Sequence, residues 1–362
     1  MNYIEALNFI AKKQSLGIKP GLIRIKNLLD LMGNPQNHLK IIHIAGTNGK
    51  GTVANSVAIS LSDAGYKVGL FTSPWVVDYR EQIQINGKFI GEQELAQYVS
   101  LYGDNDCTEF ELLTAIMYKY FADNCVDYAV IECGMGGKGD ATNVCYHSVV
   151  SVITSVALDH TDYLGDTIEK IATEKAGIIK PNSFCVLYPN ADCQSVFEKV
   201  CDDVDAKLVK VSQQNDYLQN NIATAQAVLD VLGVNSIAKI PDLPARQQVV
   251  NGVLFDGAHN VDGANALKNN MPEGRVCAVI GMMRDKDVEG YLSTILPLCD
   301  RVITTTPDNA RAMPADELKK IALRYCKNVV SVSSPQQALE LAKENSDNVV
   351  VCGSFYLCRE LL

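Results

Sequence analysis

The sequence has no apolar run approaching the ~20 residues of a membrane-spanning helix, which excludes a helical membrane protein. It has no excess of positive charge either. A net charge of −10 and a pI near 5.1 exclude a general affinity for nucleic acid or an anionic membrane. Any anion bound here must be met by local groups. Cysteine is not scarce, but the patterns that would give it a task are missing. The twelve cysteines are scattered from Cys107 to Cys358 with no CxxC pair, so metal-ligand spacing is absent. At this size a disulfide framework is not expected, and they read as reduced, half-buried small hydrophobes of a cytosolic protein. The opening MNYIEALNFIAKK carries Glu5 and other polar residues within its apolar pattern and is not a signal peptide. No short-period repeat or low-complexity tract is present. What remains is an ordinary globular composition, 47% hydrophobic and 20% charged, in a chain with room for two domains.

The stretch Lys40–Gly51, KIIHIAGTNGKG, organises the rest. Residues 40–44 read as a strand, and Val53, Val57, Ala58 and Leu61 recur at helical spacing beyond it. A strand, a glycine turn and a helix N-terminus together bind anions through unpaired N–H groups. Gly46, Gly49 and Gly51 let backbone amides approach phosphates, with Asn48 between them. Lys50 adds a cation, and the Thr52 hydroxyl is placed for phosphate or magnesium. The usual phosphate-loop pattern fails at two places, since Ile44 stands where its first glycine would be and Gly51 where its hydroxyl would be. The competing reading is a glycine-rich turn with a surface lysine; the flanking strand and helix favour the nucleotide site.

Helical periodicity marks residues 3–13 and LIRIKNLLDLM, and strand KVGLFT (67–72) follows the phosphate-loop helix. The Asn86-Gly87 dipeptide predicts a hairpin with a type I′ turn, and Thr108 with Glu111 a capping box. Strands are expected at 127–132, 148–158 and 184–189, and helices at 167–177, 192–203 and 219–232. Pro241 and Pro244 mark a linker, and strands at about 249–256, 275–281, 301–306, 328–333 and 348–352 then alternate with helices. The alternation predicts α/β architecture: a P-loop-containing, doubly wound, mostly parallel sheet domain (1–240), a linker (241–247) and a smaller Rossmann-like α/β domain (248–362). Ligands of open α/β sheets sit at the carboxyl ends of strands, where Lys50, Ser73, Glu132 and His160 all fall.

Each of these residues alone is weak. Ser73 before Pro74 fits a turn, Glu132 a solvent-facing loop, His160 a bonded core histidine, and Asp256 with His259 a helix cap. Together a hydroxyl, a carboxylate and an imidazole beside a phosphate loop suit a divalent metal bound with ATP. The segments GLIRIKNLLDLMGNP, HIAGTNGKGT, GYKVGLFTSP, FELLTA, VIECGMGGKGDATN, SVITSVALDHTDYLGDTIEKIATEKAGIIKP, LPARQ, FDGAHN, MRDKD and CGSFYL then carry a resemblance. In that order they resemble the folylpolyglutamate synthase/dihydrofolate synthase family of the Mur-ligase superfamily.

The resemblance implies an ATP-dependent amide ligase whose two domains close over a shared site. ATP phosphorylates a pterin- or folate-borne carboxylate, and L-glutamate attacks the acyl phosphate. It implies that Gly49, Lys50, Gly51 and Thr52 hold the phosphates, and that Asn221, Arg246 and Asp256 contact the nucleotide. Ser73 and Glu132 would ligate one magnesium ion, and Glu132 and His160 would ligate or adjoin a second. Lys175 matches a carbamylated lysine, against the plainer reading of a helix-end cation before Gly177. His259 and Ser354 would meet the incoming amino acid, and Phe110 and Asp140 the pterin-bearing substrate. A cytoplasmic monomer without nucleic-acid or membrane partners is expected.

The sequence departs from the family pattern at Trp75, at Arg80 and Gln82, and at Lys138 and Gly139, and the 181–221 segment is short. The first three departures fall on loops expected to touch the acceptor, so they leave the acceptor less defined than the reaction. Two rivals stand beside this reading. A Mur-type ligase on a cell-wall precursor would need a UDP-binding domain, for which the 45 residues before Gly46 are too few. A non-catalytic ATP-binding relative would not need Lys50, Glu132, His160 and Lys175 together.

Overall fold

The structure, a computed structural model, describes residues 1–14, 17, 19–189, 193–344 and 346–362. The chain divides into two compact units. One comprises Met1–Trp75 with Tyr79–Pro241, the other Val76–Asp78 with Asp242–Leu362.

Among the described residues the first unit holds eight strands: β1 (Ile41–Ala45), β2 (Val68–Phe71), β3 (Ile83–Ile85), β4 (Lys88–Phe89), β5 (Tyr128–Glu132), β6 (Val150–Ile153), β7 (Phe184–Leu187) and β8 (Lys207–Lys210). They form one sheet in the order β4-β3-β2-β5-β1-β6-β7-β8. All pairings are parallel except those of β3 with β2 and with β4. β1 is central and buried along its whole length, as the run IIHIA requires of a strand covered on both faces. Its residues alternate between two cores. Ile42 and Ile44 pack with Val53 and Val57 of the helix Lys50–Asp63 and Val228 of the helix Tyr217–Val231. Ile41 packs on the other side with Phe71, Ile131 and Leu113 of the helix Glu109–Asp123.

The second unit holds β9 (Gln248–Val250), β10 (Val253–Asp256), β11 (Val276–Ile280), β12 (Arg301–Thr304), β13 (Val329–Ser331) and β14 (Asn348–Cys352). Their order is β13-β12-β11-β14-β10-β9, parallel except for the edge strand β9. Both units are thus doubly wound α/β layers, with helices burying apolar residues against each face. No helix among the described residues is long and apolar enough to cross a membrane.

The hairpin turn at Asn86-Gly87 forms with both residues at positive φ, and Thr108 and Glu111 form the capping box. Several elements differ from expectation, among them the helix Glu92–Tyr102, which has no counterpart in the sequence reading. The strand expected at 249–256 is a hairpin, β9 and β10, turning at Asn251-Gly252 with both residues at positive φ. β8 was not anticipated, because Lys207–Lys210 is a half-exposed edge without an apolar run. The strand expected over 148–158 keeps its ladder only to Ile153, because the residues beyond bond to the phosphate loop instead. The helix expected from 192 runs over Gln194–Val204, and residue 192 itself lies outside the described residues.

Candidate active site

The loop between β1 and the helix Lys50–Asp63 is shaped by close packing. Gly49 has φ +83°, and a Cβ there would come 2.4 Å from Asn221 Oδ1, so only glycine fits. The helix has no side-chain cap at its N-terminus, which leaves its first N–H groups for an anion. Lys50 Nζ lies 3.2 Å from the carbonyl oxygens of both Gly46 and Thr47, folded back along the loop. The chain leaving β6 clamps it from the other side. Thr47 N donates to Ser155 O at 2.6 Å, Thr154 Oγ1 donates to Asn48 O at 2.7 Å, and Ala157 N donates to Thr47 Oγ1 at 3.0 Å. Gly51 and Thr52 are buried in the first turn. Asn221 is fully buried, yet among the described residues neither atom of its amide has a hydrogen-bond partner. A buried amide left unpaired costs ~1–3 kcal/mol, and a nucleotide with donors and acceptors of its own would satisfy it.

Neighbouring strand ends bring up the remaining groups. Glu132, the last residue of β5, is 2% exposed, and its Oε2 accepts from Ser73 N at 3.2 Å. Ser73 and Glu132 are therefore together. His160 stands beyond β6 with φ +51°, its N donating to Asp159 Oδ1 at 2.8 Å. Among the described residues no three His, Cys, Asp or Glu side chains gather closely enough to hold a metal by themselves. A hydroxyl with a carboxylate still fits magnesium, which takes one or two protein oxygens and completes its shell with phosphates and water.

Lys175 lies in the last turn of the helix Ile168–Ala176, whose N-cap is Thr167. A Cβ on Gly137 would lie 2.6 Å from Glu174 O and 2.9 Å from Lys175 Cα, so the glycine loop after β5 sits directly on this helix end. Lys138 N donates to Glu174 O at 2.7 Å. Lys175 is 2% exposed. Burial, and then the Lys50 charge, push its amine down to about 7. Phe110, in the first turn of its helix, packs its ring on the Gly134 backbone and lies 5.9 Å from the Phe71 ring. Asp140 is buried at the end of the same glycine loop, its Oδ2 accepting from Met135 N at 2.8 Å. Two of the departures from the family pattern have partners in the structure. Gln82 Nε2 donates to Tyr79 O at 3.0 Å, and the Arg80 guanidinium lies 5.5 Å from the Tyr3 ring.

Arg246, Asp256, His259 and Ser354 belong to the second unit. Asp256 ends β10; its Oδ1 accepts from Ala258 N at 2.7 Å and its Oδ2 from Gln247 N at 3.1 Å. Burial raises its carboxyl to about 6, against the opposing pull of those bonds and of Arg246. Arg246 lies 4.9 Å over the Phe355 ring, between Ala245 and Gln247, which both hold left-handed φ near +55°. His259 Nδ1 bonds Gly257 O at 2.9 Å, and its ring meets Phe355 edge-on. Neither Asp256 nor His259 caps the following helix; Asn260 does. Ser354, 2% exposed, caps the last helix by accepting from Tyr356 N. The strained residues around Arg246 and the clamp on the phosphate loop escaped sequence reasoning. Ala, Gln, Thr and Ser carry no marker for either.

Two family models match the chain: the Mur ligase middle domain over residues 44–251, and the dihydrofolate synthetase C-terminal domain over residues 240–362. A probable dihydrofolate synthetase of Schizosaccharomyces pombe is 32% identical over 95% of this chain and 98% of its own length. The solved structure of E. coli FolC in complex with DHPP and ADP is similar with a TM-score of 0.91 and 31% identity, covering 100% of this chain and 97% of that one. A bifunctional folylpolyglutamate synthase/dihydrofolate synthase with Mn, AMPPNP and L-glutamate bound gives a TM-score of 0.88 at 29% identity, covering 98% and 97%. Fold and phosphate loop together define an ATP-dependent ligase of the Mur type. Within that class, the chain belongs to the dihydrofolate synthase/folylpolyglutamate synthase family.

Proposed function

We propose that the protein joins L-glutamate to the carboxylate of a pterin-bearing acid, dihydropteroate or a reduced folate, using ATP. The carrying observation is the buried end of the first sheet, where the phosphate loop, the orphaned Asn221 amide, Glu132 and Lys175 are assembled. The ligands bound to the relatives described above support the same reading.

A carboxylate is a poor electrophile. Transfer of the γ-phosphoryl group to its oxygen breaks the bond to ADP and creates an acyl phosphate. The glutamate amine attacks the acyl carbon, phosphate leaves, and the amine loses its proton. Phosphoryl transfer asks the protein mainly for position and charge neutralisation. The N–H groups of residues 49–52 and the Lys50 ammonium hold the phosphates, and Asn221, Arg246 and Asp256 hold the nucleotide. Ser73 and Glu132, with His160 for a second ion, would hold magnesium, which neutralises phosphate charge when bound. Phe110 and Asp140 receive the pterin acceptor, and His259 and Ser354 the glutamate. The catalytic units are the ATP-binding domain (1–240) and the C-terminal domain (248–362) joined by the 241–247 linker, in a cytoplasmic monomer.

Lys175 carries a carbamate in this reading. With its amine at about 7, an appreciable fraction is neutral near pH 7, and only the neutral form adds CO₂. The nitrogen lone pair bonds the CO₂ carbon as one C–O π bond opens onto oxygen, the N–H proton leaves, and the neutral amine becomes an anion suited to a nearby metal. Lys175→Ala should lose nearly all activity, Lys175→Glu should keep some, and the wild type should slow in bicarbonate-free buffer. Full activity of Lys175→Ala there would overturn the carbamate.

The function is tested by ADP release with dihydropteroate, tetrahydrofolate or a UDP-muramyl acceptor, each with and without L-glutamate. Release is expected only with a pterin acceptor and glutamate together. Release with the muramyl acceptor would make the protein a cell-wall ligase. ATP binding without release under any condition would make it a non-catalytic relative.

A further inference from the structure

β1 carries a histidine in the middle of an apolar strand. His43 is fully buried, and a polar ring there costs stability unless it is bonded. Its Nε2 lies 2.8 Å from Thr142 Oγ1 and 3.2 Å from Cys133 Sγ. Thr142 Oγ1 in turn lies 2.5 Å from Asp140 Oδ1, the same oxygen that accepts from Thr142 N at 2.9 Å. A hydroxyl has one hydrogen to give. Thr142 gives it to Asp140, so its oxygen accepts from His43 Nε2–H. That assignment leaves a lone pair on Nδ1, and Nδ1 is the ring atom without a partner among the described residues. The opposite tautomer would bury an unpaired N–H at Nδ1. Burial, and then Lys180, lower the ring's pKa to about 3, so His43 is a neutral donor. The donors run one way, from His43 through Thr142 to Asp140.

The Thr142 hydroxyl therefore ties three segments together. His43 stands in the strand that feeds the phosphate loop, Cys133, whose Sγ lies 3.5 Å from Thr142 Oγ1, directly follows Glu132, and Asp140 closes the glycine loop. We infer that His43 and Thr142 are positioning residues that fix the Asp140 carboxylate and its loop for the pterin-bearing acceptor. The inference rests on the reading of Asp140 as an acceptor contact. A core histidine kept only for packing could be replaced by the leucine or isoleucine around it without touching substrate affinity. A histidine kept for this chain of donors could not.

Steady-state kinetics with dihydropteroate or tetrahydrofolate at saturating ATP and glutamate test it. Thr142→Val and His43→Leu should raise the acceptor KM by ~10-fold or more, the loss of one hydrogen bond to a charged group, with the ATP KM within about twofold of wild type. Thr142→Ser, which keeps the hydroxyl, and His43→Gln, which keeps an N–H donor, should recover most of the affinity. An unchanged acceptor KM in the folded Thr142→Val protein, a parallel rise in the ATP KM, or no recovery by Thr142→Ser would overturn the inference. If His43→Leu fails to fold, the Val and Ser pair at position 142 decides. Asp140→Asn in the same assay separates the two layers. An acceptor KM raised by Asp140→Asn but not by Thr142→Val sinks the positioning role alone; an acceptor KM untouched by Asp140→Asn sinks the Asp140 reading and the inference with it.

Discussion

Two loops, one in each unit, present a cation beside left-handed backbone by different means. In the first, Gly49 carries the left-handed backbone and Lys50 folds back onto two carbonyl oxygens. In the second, Ala245 and Gln247 carry it, and Arg246 lies flat over Phe355. Glycine adopts that conformation at little cost, whereas alanine and glutamine pay ~1–2 kcal/mol each. The second loop is held there by its partners: Gly257 N donates to Ala245 O at 2.7 Å, and the Asp256 carboxylate accepts from Gln247 N. A loop whose shape is native to its residues differs here from one whose shape is imposed by a buried carboxylate.

Removing the first loop's cation is the strongest way to break the comparison. Lys50→Ala should cut ADP release at least ~100-fold with the fold intact by circular dichroism, since one contact to the transferring phosphoryl group is worth ~3 kcal/mol or more. Near-normal turnover would remove the loop from the reaction.

Next comes the anchor of the second loop. Burial raises Asp256 from 3.8 to about 6, so the folded chain holds this proton more tightly than the unfolded one. The resulting stability is complete below the unfolded value and is lost as pH rises through about 6. Asp256→Asn does not titrate. Its urea stability relative to wild type should therefore improve by about 2–3 kcal/mol between pH 4 and pH 8, the free-energy equivalent of that shift. A difference that stays flat with pH would show the carboxylate to be better solvated than its burial implies.

The smallest effects come from exchanging the two strategies. Gly49→Ala should destabilise by ~1–3 kcal/mol and weaken AMPPNP binding, because its Cβ meets Asn221 and its φ is positive. Ala245→Gly should instead stabilise by ~0.5–1 kcal/mol, the relief of left-handed strain less the entropy glycine loses on folding. Thermal melts of both proteins check the pair, and equal signs would end the distinction.

The same contrast explains what could be read before folding. Glycines at 46, 49 and 51 between a strand and a helix announce the phosphate loop, because few residue types fit that backbone. Strand ends could be placed from hydrophobic runs, which put Ser73 and Glu132 at the carboxyl ends of strands and Lys175 at a helix end; that the two strands are neighbours is seen only in the fold. The hairpin of β9 and β10 was hidden because Asn251-Gly252 interrupts a run that otherwise reads as one strand. The strain at Ala245 and Gln247 was hidden because a tertiary partner, Asp256, imposes it. The tie from His43 to Thr142 joins residues 99 apart, a contact that only the parallel crossover creates.

The clamp on the phosphate loop also has a kinetic side. Thr47 donates its amide to Ser155 O and receives the amide of Ala157 on its hydroxyl, across 110 positions of chain. Both bonds are made by Thr47, so the two amides are expected to exchange through one local opening, as a single cooperative unit. A ligand that holds the closed form multiplies the protection of every amide in that unit by the same factor. If AMPPNP binds this loop, exchange is expected to slow at Ala157 as much as at Thr47, and hydrogen exchange with and without AMPPNP checks it.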